Sequence, residues 1–376
     1  MDAIILNDEH LKKSNNIILL SDIHFGVRNN SIEWMDNIHN YFFNFFIPFL
    51  KENSNENTSL IIMGDIFDSR QSLDIKVLNI ALDIITNILK VNNTIKIYIV
   101  EGNHDSYKKK DNDITSLSIF KTFNNVVVIQ KPTLEILDDG TKFLFVPWNG
   151  DMTEQNNVIR DIDADFVFMH NDINSGYYDN GRPIINGVDI TTINNKKIYS
   201  GHIHKRYNSK KFTYVGTPYQ LRRSDIGNKK GIYILSKKNK KWQEKFVENN
   251  FSPEFFRIRI EDILEKKIKD LYSLFHNNYV DIVIKKSYAK YINQQKILDV
   301  LSDFKFKRIF FIVDKEEDII ENITNDGNNS MSIESIIENK IKNDNSISQK
   351  IKEELLKMNK EYLDNAIKMI DKNIDY

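Results

Sequence analysis

The chain of 376 residues contains no cysteine. This absence excludes disulfide bonds and every metal site built on thiolate ligands, such as structural Cys-zinc sites and iron–sulfur clusters. It agrees with a protein of a reducing cytoplasm. If the chain binds a metal, the ligands must be nitrogen and oxygen atoms.

An excess of charge of one sign is also lacking, because 52 Lys and Arg residues stand against 53 Asp and Glu residues. No overall positive field attracts the chain to DNA or to an anionic membrane, so any nucleic-acid contact must come from local patches. No apolar run reaches the roughly 18 residues of a membrane span, and the N-terminus lacks a signal-peptide pattern. We expect no membrane association. The most apolar segment, residues 41–50, predicts a buried amphipathic helix that ends near Pro48.

Strand-like and helical patterns alternate over the first two-thirds of the chain. Apolar runs rich in β-branched residues occur at 16–20, 59–63 and 95–100, and residues 73–89 have apolar residues at helical spacing. More strand-like runs follow up to about residue 235. A βαβ opening followed by strand-rich sequence predicts a layered α/β sandwich, which we assign to residues 1–250.

The pattern changes after residue 250. Three strand-like runs alternate with helical patterns and predict a small separate α/β module at 251–323. Residues 324–330 form a polar linker, and residues 331–376 predict two amphipathic helices. A helix pair of this size cannot bury a core of its own. It therefore either binds a partner or packs against its own protein.

The residues with chemical potential are concentrated in five short signatures. Histidine is scarce, with eight residues in all, and most signatures directly follow a strand-like run, where open α/β sheets bind their ligands. The signatures are SDIHFG with Asp22 and His24, GDIFDSR with Asp65 and Asp68, GNHD with Asn103, His104 and Asp105, FMHND with His170, and GHIH with His202 and His204. Each alone is more often a turn or a packed residue, but chance placement of the whole ordered set is remote.

Seven of these side chains are suitable ligands for two divalent cations, namely Asp22, His24, Asp65, Asn103, His170, His202 and His204. Mixed nitrogen and oxygen donors suit manganese, iron or zinc. Two ions about 4 Å apart share a carboxylate, bind a phosphate and activate water. His104 is left over and could protonate a leaving oxygen, with Asp105 orienting its ring.

The ordered set D-x-H, GDxxD, GNHD, His, GHxH resembles the calcineurin-like metallophosphoesterases. GNHD and GDIFDSR differ from the GNHE and GDxxDRG typical of the protein Ser/Thr phosphatases. SDIHFG, GDIFD and YVGTPYQL resemble instead the SbcD-type DNA-repair nucleases, and among these the small subunits of phage recombination endonucleases. The resemblance is strong over residues 17–235 and weak elsewhere. It implies a four-layer sandwich of two central sheets flanked by helices, a capping domain that recognises DNA, and a C-terminal helix pair.

The resemblance also implies roles for the signature residues. One ion would be held by Asp22, His24, Asp65 and His204, and the other by Asp65, Asn103, His170 and His202, with Asp65 shared. The ions would be manganese in the active form, and His104 would be the catalytic imidazole. Some relatives have a second histidine where this chain has Asp68. Whether Asp68 acts on substrate or supports the site stays open, and support is the favoured interpretation.

The implied function is that of the nuclease subunit of an SbcCD-like complex in DNA repair, recombination and replication. Such subunits act as 3′–5′ exonucleases on duplex ends and as endonucleases on single strands or hairpins, gated by an ABC-type ATPase. The coiled coil of an SbcC-type ATPase would bind residues 331–376. A homodimer through helices of the first domain is expected, and so is a cytoplasmic location, in the host cell if the protein is viral.

Two other functions fit parts of the sequence. A phosphatase or cyclic-nucleotide phosphodiesterase would use the same two-metal site. A non-catalytic scaffold that tethers an ATPase to DNA would be expected to lose ligands, and this chain keeps all seven. Basic pairs such as Arg222 with Arg223 are most simply a solvated surface. Arg28 and Lys205 are better candidates for DNA contacts, because they lie close in sequence to predicted ligands.

Overall fold

The structure is a computed structural model that describes residues 3–108, 111–191, 193, 196–239 and 241–314, and a few isolated positions beyond residue 341. The chain divides into two compact units, residues 1–313 and 314–376. The elements described below lie in the first unit, apart from the last residue of the final strand. The predicted linker at 324–330 and helix pair at 331–376 lie outside the described residues, except for those isolated positions, and stay predictions.

The strands are short, and most lie in two large sheets. In chain order they are β1 (Ile4–Ile5), β2 (Asn16–Leu20), β3 (Thr58–Met63), β4 (Lys96–Val100), β5 (Ser106–Lys108), β6 (Asp111–Thr115), β7 (Val126–Ile129), β8 (Thr133–Ile136), β9 (Lys142–Val146), β10 (Phe166–His170), β11 (Lys197–Gly201), β12 (Tyr207–Asn208), β13 (Phe212–Tyr214), β14 (Gly231–Lys238), β15 (Lys241–Glu248), β16 (Phe255–Arg259), β17 (Tyr279–Lys285) and β18 (Arg308–Asp314).

The first large sheet has six strands in the order β15-β14-β2-β3-β4-β7, and the second has seven in the order β1-β8-β9-β10-β11-β13-β12. Strands β2, β3, β4 and β7 run parallel to one another, as do β9, β10, β11 and β13. Because parallel neighbours end at the same edge of a sheet, each sheet presents a row of carboxyl strand ends.

Helices cover the outer faces of both large sheets, and four more pack in the last part of the chain, within residues 255–314. In chain order the helices are α1 (Glu9–Lys13), α2 (Val27–Asn30, a single turn whose Arg28 and Asn29 are left-handed), α3 (Ile32–Tyr41), α4 (Ile47–Asn53), α5 (Ile75–Leu89), α6 (Met152–Asp161), α7 (Ile260–Glu265), α8 (Ile268–Phe275), α9 (Lys286–Ala289) and α10 (Gln294–Leu301). Among the described residues, no helix is both long enough and apolar enough to cross a membrane.

Strand β2 shows why the layers stack. All five of its residues are buried, and neighbouring residues of a strand point to opposite faces. Ile18 and Leu20 therefore pack in the core that contains residues of α3, α4 and α5, while Ile17 and Leu19 pack in the core between the two sheets. A third core joins the seven-stranded sheet to α6. The resulting order of helices, sheet, sheet and helices confirms the predicted four-layer α/β fold class.

The helix at residues 41–50 does not end near Pro48, so this part of the prediction is wrong. Helix α3, a π-helical segment at Phe42–Phe46 and α4 follow one another without a break. The N–H of Ile47 bonds to the carbonyl of Phe42, five residues back, and Pro48 then lies in the first turn of α4. Proline is tolerated in a first turn because its missing N–H is not needed there, and the wide π-helical turn provides such a start.

The last part of the described chain forms a separate sheet in the order β16-β17-β18, which we call the three-stranded sheet. It has its own core with residues of α7, α8 and α10. It packs on α3, where the ring of Trp34 stacks on Tyr279 and Phe255 at centroid distances of 5.5 and 5.9 Å. The role of this region as a capping domain that recognises DNA stays a prediction.

Candidate metal centre

The predicted ligands lie where strands of both large sheets end. Asp22 and His24 follow β2, Asp65 follows β3, Asn103 follows β4, His170 is the last residue of β10, and His202 and His204 follow β11. Strands β2, β3 and β4 are neighbours in one sheet, and β10 and β11 are neighbours in the other. The stacking of the two sheets therefore brings together side chains that are up to 182 positions apart in the sequence.

The backbone at these strand ends is unusual. Asp22, His24, Asp65 and His202 have left-handed φ angles of 53°, 54°, 51° and 79°. Such conformations cost non-glycine residues on the order of 1–3 kcal/mol each and are concentrated at functional sites. The strained turns aim the four side chains at one place, which a regular strand or helix would not do.

The strand ends also approach one another too closely for a side chain between them. A Cβ atom on Gly64 would lie 2.5 Å from Nδ1 of His170, and one on Gly201 would lie 2.3 Å from Oγ of Ser21. Glycine is therefore required before Asp65 and before His202. This explains why the GD and GH signatures begin with glycine.

A first group of ligand atoms comes from Asp22, His24 and His204, and these atoms lie within 4.8 Å of one another. The Nε2 atoms of His24 and His204 are 3.0 Å apart. The hydroxyl of Ser21 donates to Oδ2 of Asp22 at 2.6 Å. All three residues are buried, so this group can enclose a cation away from bulk water.

A second group comes from Asp65, His170 and His202, again within 4.8 Å. Oδ1 of Asn103 lies 3.0 Å from Nε2 of His170 and 2.8 Å from Nδ1 of His202. Nδ1 of His170 lies 2.7 Å from the carbonyl of Met63 and donates to it. This bond leaves Nε2 as the free lone pair that faces the group, which is the tautomer a metal ligand needs.

Asp65 connects the two groups. Its Oδ1 lies 3.3 Å from Nε2 of His170, and its Oδ2 lies 3.7 Å from Nε2 of His24. The backbone N–H of His104 donates to Oδ1 at 2.8 Å and fixes the carboxylate. One oxygen thus faces each group, which is the position of a carboxylate shared by two cations.

The electrostatics of the site favour bound positive charge. Burial raises the pKa of Asp22 to about 6, and the neighbouring carboxylate of Asp65 adds to this shift. Burial alone would lower the pKa of His170, yet Asp65 and Asp22 raise it to about 9. The site therefore favours positive charge next to these two buried carboxylates, and divalent cations would supply it.

Asn103 provides a second test of whether the residues fit a metal. Its amide oxygen faces the two imidazoles, which is the orientation that a cation between them requires. Without a cation, the reversed amide would make more hydrogen bonds, because it would donate to both rings and accept from Arg70. The donor set of oxygen and imidazole nitrogen in two groups around a shared carboxylate fits two divalent ions.

His104 lies beside these groups in a cavity of about 260 Å³ that is also lined by His24, Asp65, His202 and His204. Its Nδ1 donates to the carbonyl of Asp68 at 2.7 Å. The ring is partly exposed, and this bond leaves Nε2 for a contact with substrate. His104 thus has a fixed tautomer and an accessible nitrogen.

The structure differs from the prediction that Asp105 orients His104. The Asp105 carboxylate accepts hydrogen bonds from the backbone N–H groups of Asp65, Ile66 and Gly102 at 2.8, 3.0 and 3.0 Å. It therefore joins the turn after β3 to the turn after β4. The carbonyl of Asp68 holds the His104 ring instead.

The Asp68 side chain points to a different histidine. Its Oδ1 lies 3.1 Å from Nδ1 of His24, on the opposite side of that ring from the Nε2 that faces His204. An acceptor at this position orients a metal-ligating imidazole. This is the geometry that a supporting role for Asp68 requires.

The two predicted DNA contacts have different surroundings. The Arg28 guanidinium lies 4.5 Å from the Trp34 ring centroid and donates to the carbonyl of Leu221 at 2.9 Å. It thus helps to hold the interface with the three-stranded sheet, although it also lines the cavity. Lys205 directly follows His204, and its backbone N–H donates to Asp179 at 3.0 Å. A DNA contact by either side chain stays a prediction.

Sequence reasoning missed two residues of the site. Asp172 Oδ1 lies 3.6 Å from Nε2 of His202, and the hydroxyl of Tyr178 donates to Asp172 Oδ2 at 3.2 Å. Asp172 could have been found from the sequence, because it lies two residues after His170, and the same spacing separates Asp22 and His24. Arg222 Nη2 lies 2.5 Å from Nδ1 of His204. Nothing in the sequence distinguished Arg222 from other surface arginines.

The fold and site together define a metal-dependent phosphoesterase. Residues 16–206 match the calcineurin-like phosphoesterase family, and the chain belongs to this family, whose members use divalent metals. The predicted family is thereby confirmed.

Among individual proteins, the chain is similar to exonuclease subunit 1 of Enterobacteria phage T4, with 28% identity over 241 residues that cover 62% of this chain and 68% of the relative. A solved structure of a protein of unknown function from Aquifex aeolicus aligns over 52% of this chain and 81% of its own, with 14% identity and a TM-score of 0.29. A likeness of that size adds nothing to the assignment.

Proposed function

We propose that the protein is a DNA nuclease that hydrolyses phosphodiesters with two divalent cations. The observation that carries this proposal is the position of Asp65, whose two oxygens face two separate groups of ligand atoms. His104 lies in the same cavity. The similarity to a protein named as an exonuclease subunit supports DNA as the substrate.

The site residues have two roles in the proposed hydrolysis, namely metal binding and proton transfer. When bound, two divalent ions neutralise phosphate charge and activate water. The first ion would be held by Asp22, His24, Asp65 and His204, and the second by Asp65, Asn103, His170 and His202. The Asp68 carbonyl accepts from Nδ1 of His104 and orients the ring, so that Nε2 is the atom that can transfer a proton to the departing 3′ oxygen. Manganese suits this mixed donor set.

The proposed substrates and partners follow the same branch of the family. We propose 3′–5′ exonuclease action on duplex ends and endonuclease action on single strands or hairpins. The relative from phage T4 is named as a subunit, which supports an assembly with further chains. We propose that these are a second copy of this chain and an SbcC-type ATPase that binds residues 331–376.

The proposal is tested by degradation of end-labelled duplex DNA with manganese, with and without EDTA. Wild-type protein should degrade the DNA when manganese is present without EDTA, and should not degrade it when EDTA is added. His104→Ser should be slower by about 10²–10⁴-fold, the usual contribution of a general acid, and should still bind manganese. His276→Ser changes a histidine of the α8 end and should be as active as wild type.

Three results would contradict the proposal. Equal rates for wild type and His104→Ser would remove the catalytic role of His104. Hydrolysis of p-nitrophenyl phosphate without DNA cleavage, even with an ATPase partner added, would favour the phosphatase alternative. Failure to hydrolyse either substrate would favour the alternative of a non-catalytic scaffold.

A further inference from the structure

Residues 220–225, with the sequence QLRRSD, connect the candidate metal centre to the three-stranded sheet, and we call them the linking segment. The side chain of Gln220 accepts a hydrogen bond from the backbone N–H of Phe255 at 2.7 Å, at the start of β16. The carbonyl of Leu221 accepts from Arg28 at 2.9 Å. The segment thus contacts both the sheet and the wall of the cavity.

A buried ion pair fixes the backbone of the linking segment. The Asp225 carboxylate accepts from the N–H groups of Leu221 and Arg222 at 2.9 and 3.0 Å and from Nζ of Lys230 at 2.8 Å. Nζ of Lys230 also donates to the carbonyl of His204 at 2.6 Å. Both charged residues are almost fully buried. The segment is therefore held in a fixed position relative to a predicted metal ligand.

Two consecutive arginines of the segment point in opposite directions. Arg222 has an extended backbone, and neighbouring side chains of extended chain lie on opposite sides. Arg222 lines the cavity, with Nη2 2.5 Å from Nδ1 of His204 and Nη1 3.8 Å from Asp179. Nε of Arg223 lies 2.8 and 2.9 Å from the two carboxylate oxygens of Asp281 on β17.

The Arg222 guanidinium is suited to binding phosphate. It is always charged, and its planar group of five N–H donors matches the oxygens of a phosphate. Its side chain is half-exposed at the cavity. Its Nη2 lies beside the ring of the predicted ligand His204, so the guanidinium can reach a phosphate that is held in the cavity next to the predicted ligands.

We propose that Arg222 binds oxygens of the substrate phosphate in this cavity, and that the Arg223–Asp281 ion pair sets its position from the three-stranded sheet. The sheet thereby acts on substrate binding through two adjacent residues of one segment. The identification of the substrate as DNA rests on the proposed function. The contact between Arg222 and phosphate requires only that the substrate is a phosphate ester.

The test measures phosphate binding and turnover separately in manganese-loaded, full-length protein. The probes are inorganic phosphate, titrated by calorimetry, and bis(p-nitrophenyl) phosphate, for which KM and kcat are determined. Arg222→Gln should weaken phosphate binding and raise KM by roughly 10- to 100-fold, as expected for loss of a charge-assisted hydrogen bond. The value of kcat should change less than KM, because Arg222 would contact the phosphate in the bound substrate as well as in the transition state. Arg222→Lys should recover part of the loss.

Arg223→Gln and Asp281→Asn should raise KM by a smaller factor, because they displace Arg222 without removing it. The matched control is Arg257→Gln. Arg257 also contacts Asp281, at 3.3 Å, but it lies on β16 within the same sheet, so its loss should leave KM unchanged.

Several results would overturn the proposal. Unchanged phosphate affinity in Arg222→Gln would remove the phosphate contact. Loss of manganese affinity in this variant, measured by calorimetry, would mean that Arg222 only supports His204. Equal effects of Arg223→Gln and Arg257→Gln would exclude the route from the sheet. Hydrolysis of the nitrophenyl ester without DNA cleavage would contradict the proposed function alone, and the Arg222 comparison would still decide this inference.

Discussion

At the scale of single residues, the candidate centre depends on which ring nitrogen each histidine presents. Nδ1 of His170 is bound to the Met63 carbonyl, and Nδ1 of His104 to the Asp68 carbonyl. His202 is the reverse, since its Nδ1 faces Asn103. Neighbouring acceptors thus select the tautomer. These acceptors come from other strands and turns, so the role of each histidine cannot be understood from its own signature.

Asp172 is expected to support the metal ligand His202. Its carboxylate faces Nε2, opposite the nitrogen that would bind the ion, and such partners raise ligand basicity. Asp172→Asn should weaken manganese binding by about 10- to 100-fold, the usual effect of removing such a partner. Isothermal titration calorimetry with manganese is the direct measurement.

Asp163→Asn is the matched control for this experiment. Asp163 is exposed and pairs with Lys142, so the substitution should leave manganese affinity unchanged. If Asp172→Asn and wild type bind manganese equally well, His202 does not depend on Asp172.

The spacing of the signatures was sufficient to predict which seven side chains meet, because residues at the ends of parallel strands share one edge. It was not sufficient for the contacts of side chains in the same signature. Asp105 is adjacent to His104 in sequence, yet its carboxylate binds the backbone of the turn after β3. Such contacts depend on the distance between turns, which only the packing of the sheets determines.

At the scale of elements, strand positions followed from the apolar runs rich in β-branched residues, while the helix through Pro48 was not predicted. The prediction used the rule that proline interrupts a helix, and the π-helical segment before it provides a new first turn. Residues 42–46 include four phenylalanines, and packing of these rings in the core decides this local geometry. A pattern of single residues does not contain that information.

The linking segment illustrates how a buried charge can hold an element in place. Burial lowers the pKa of Lys230 despite the Asp225 carboxylate, so the pair does not stabilise the fold through its charge alone. Removing one partner is nevertheless costly, because the other charge stays buried. Lys230→Met should therefore lower the free energy of unfolding by about 3–5 kcal/mol, measured by urea denaturation.

Lys229→Met provides the comparison in the adjacent position. Lys229 pairs with Glu248 at 2.8 Å, but its side chain is 63% exposed. Exposed ion pairs contribute roughly 0–1 kcal/mol, so this variant should unfold near the wild-type midpoint. Equal losses in the two variants would show that the buried contacts of Lys230 do not anchor the segment.

At the scale of the whole first unit, two interfaces determine what the protein can do. The stacking of the two large sheets forms the metal centre, and α3 connects the six-stranded sheet to the three-stranded sheet. The sequence predicted the strands of the three-stranded sheet, but not that Trp34 of α3 would be the centre of the second interface. Trp34 is 4% exposed and contacts rings from β16 and β17, more than 200 residues later in the chain.

Trp34→Ala should loosen the three-stranded sheet more than the rest of the unit. The substitution removes the stacking on Phe255 and Tyr279 and the cation–π contact of Arg28. It should destabilise the fold by about 3–5 kcal/mol, as other buried Trp-to-Ala changes do. Amide hydrogen exchange followed by mass spectrometry should show lost protection concentrated in β16 and β17, because local opening needs less free energy than global unfolding.

Trp242→Ala separates this effect from a general loss of stability. Trp242 packs with Phe143 and Phe166 against the core between the two large sheets. Its loss should therefore not affect β16 and β17 selectively. If the two variants lose protection in the same regions, the three-stranded sheet does not depend on Trp34. If Trp34→Ala alone exposes β16 and β17 and also raises KM for bis(p-nitrophenyl) phosphate, the aromatic interface and the linking segment act on the same cavity, since Arg28 joins both through Trp34 and Leu221.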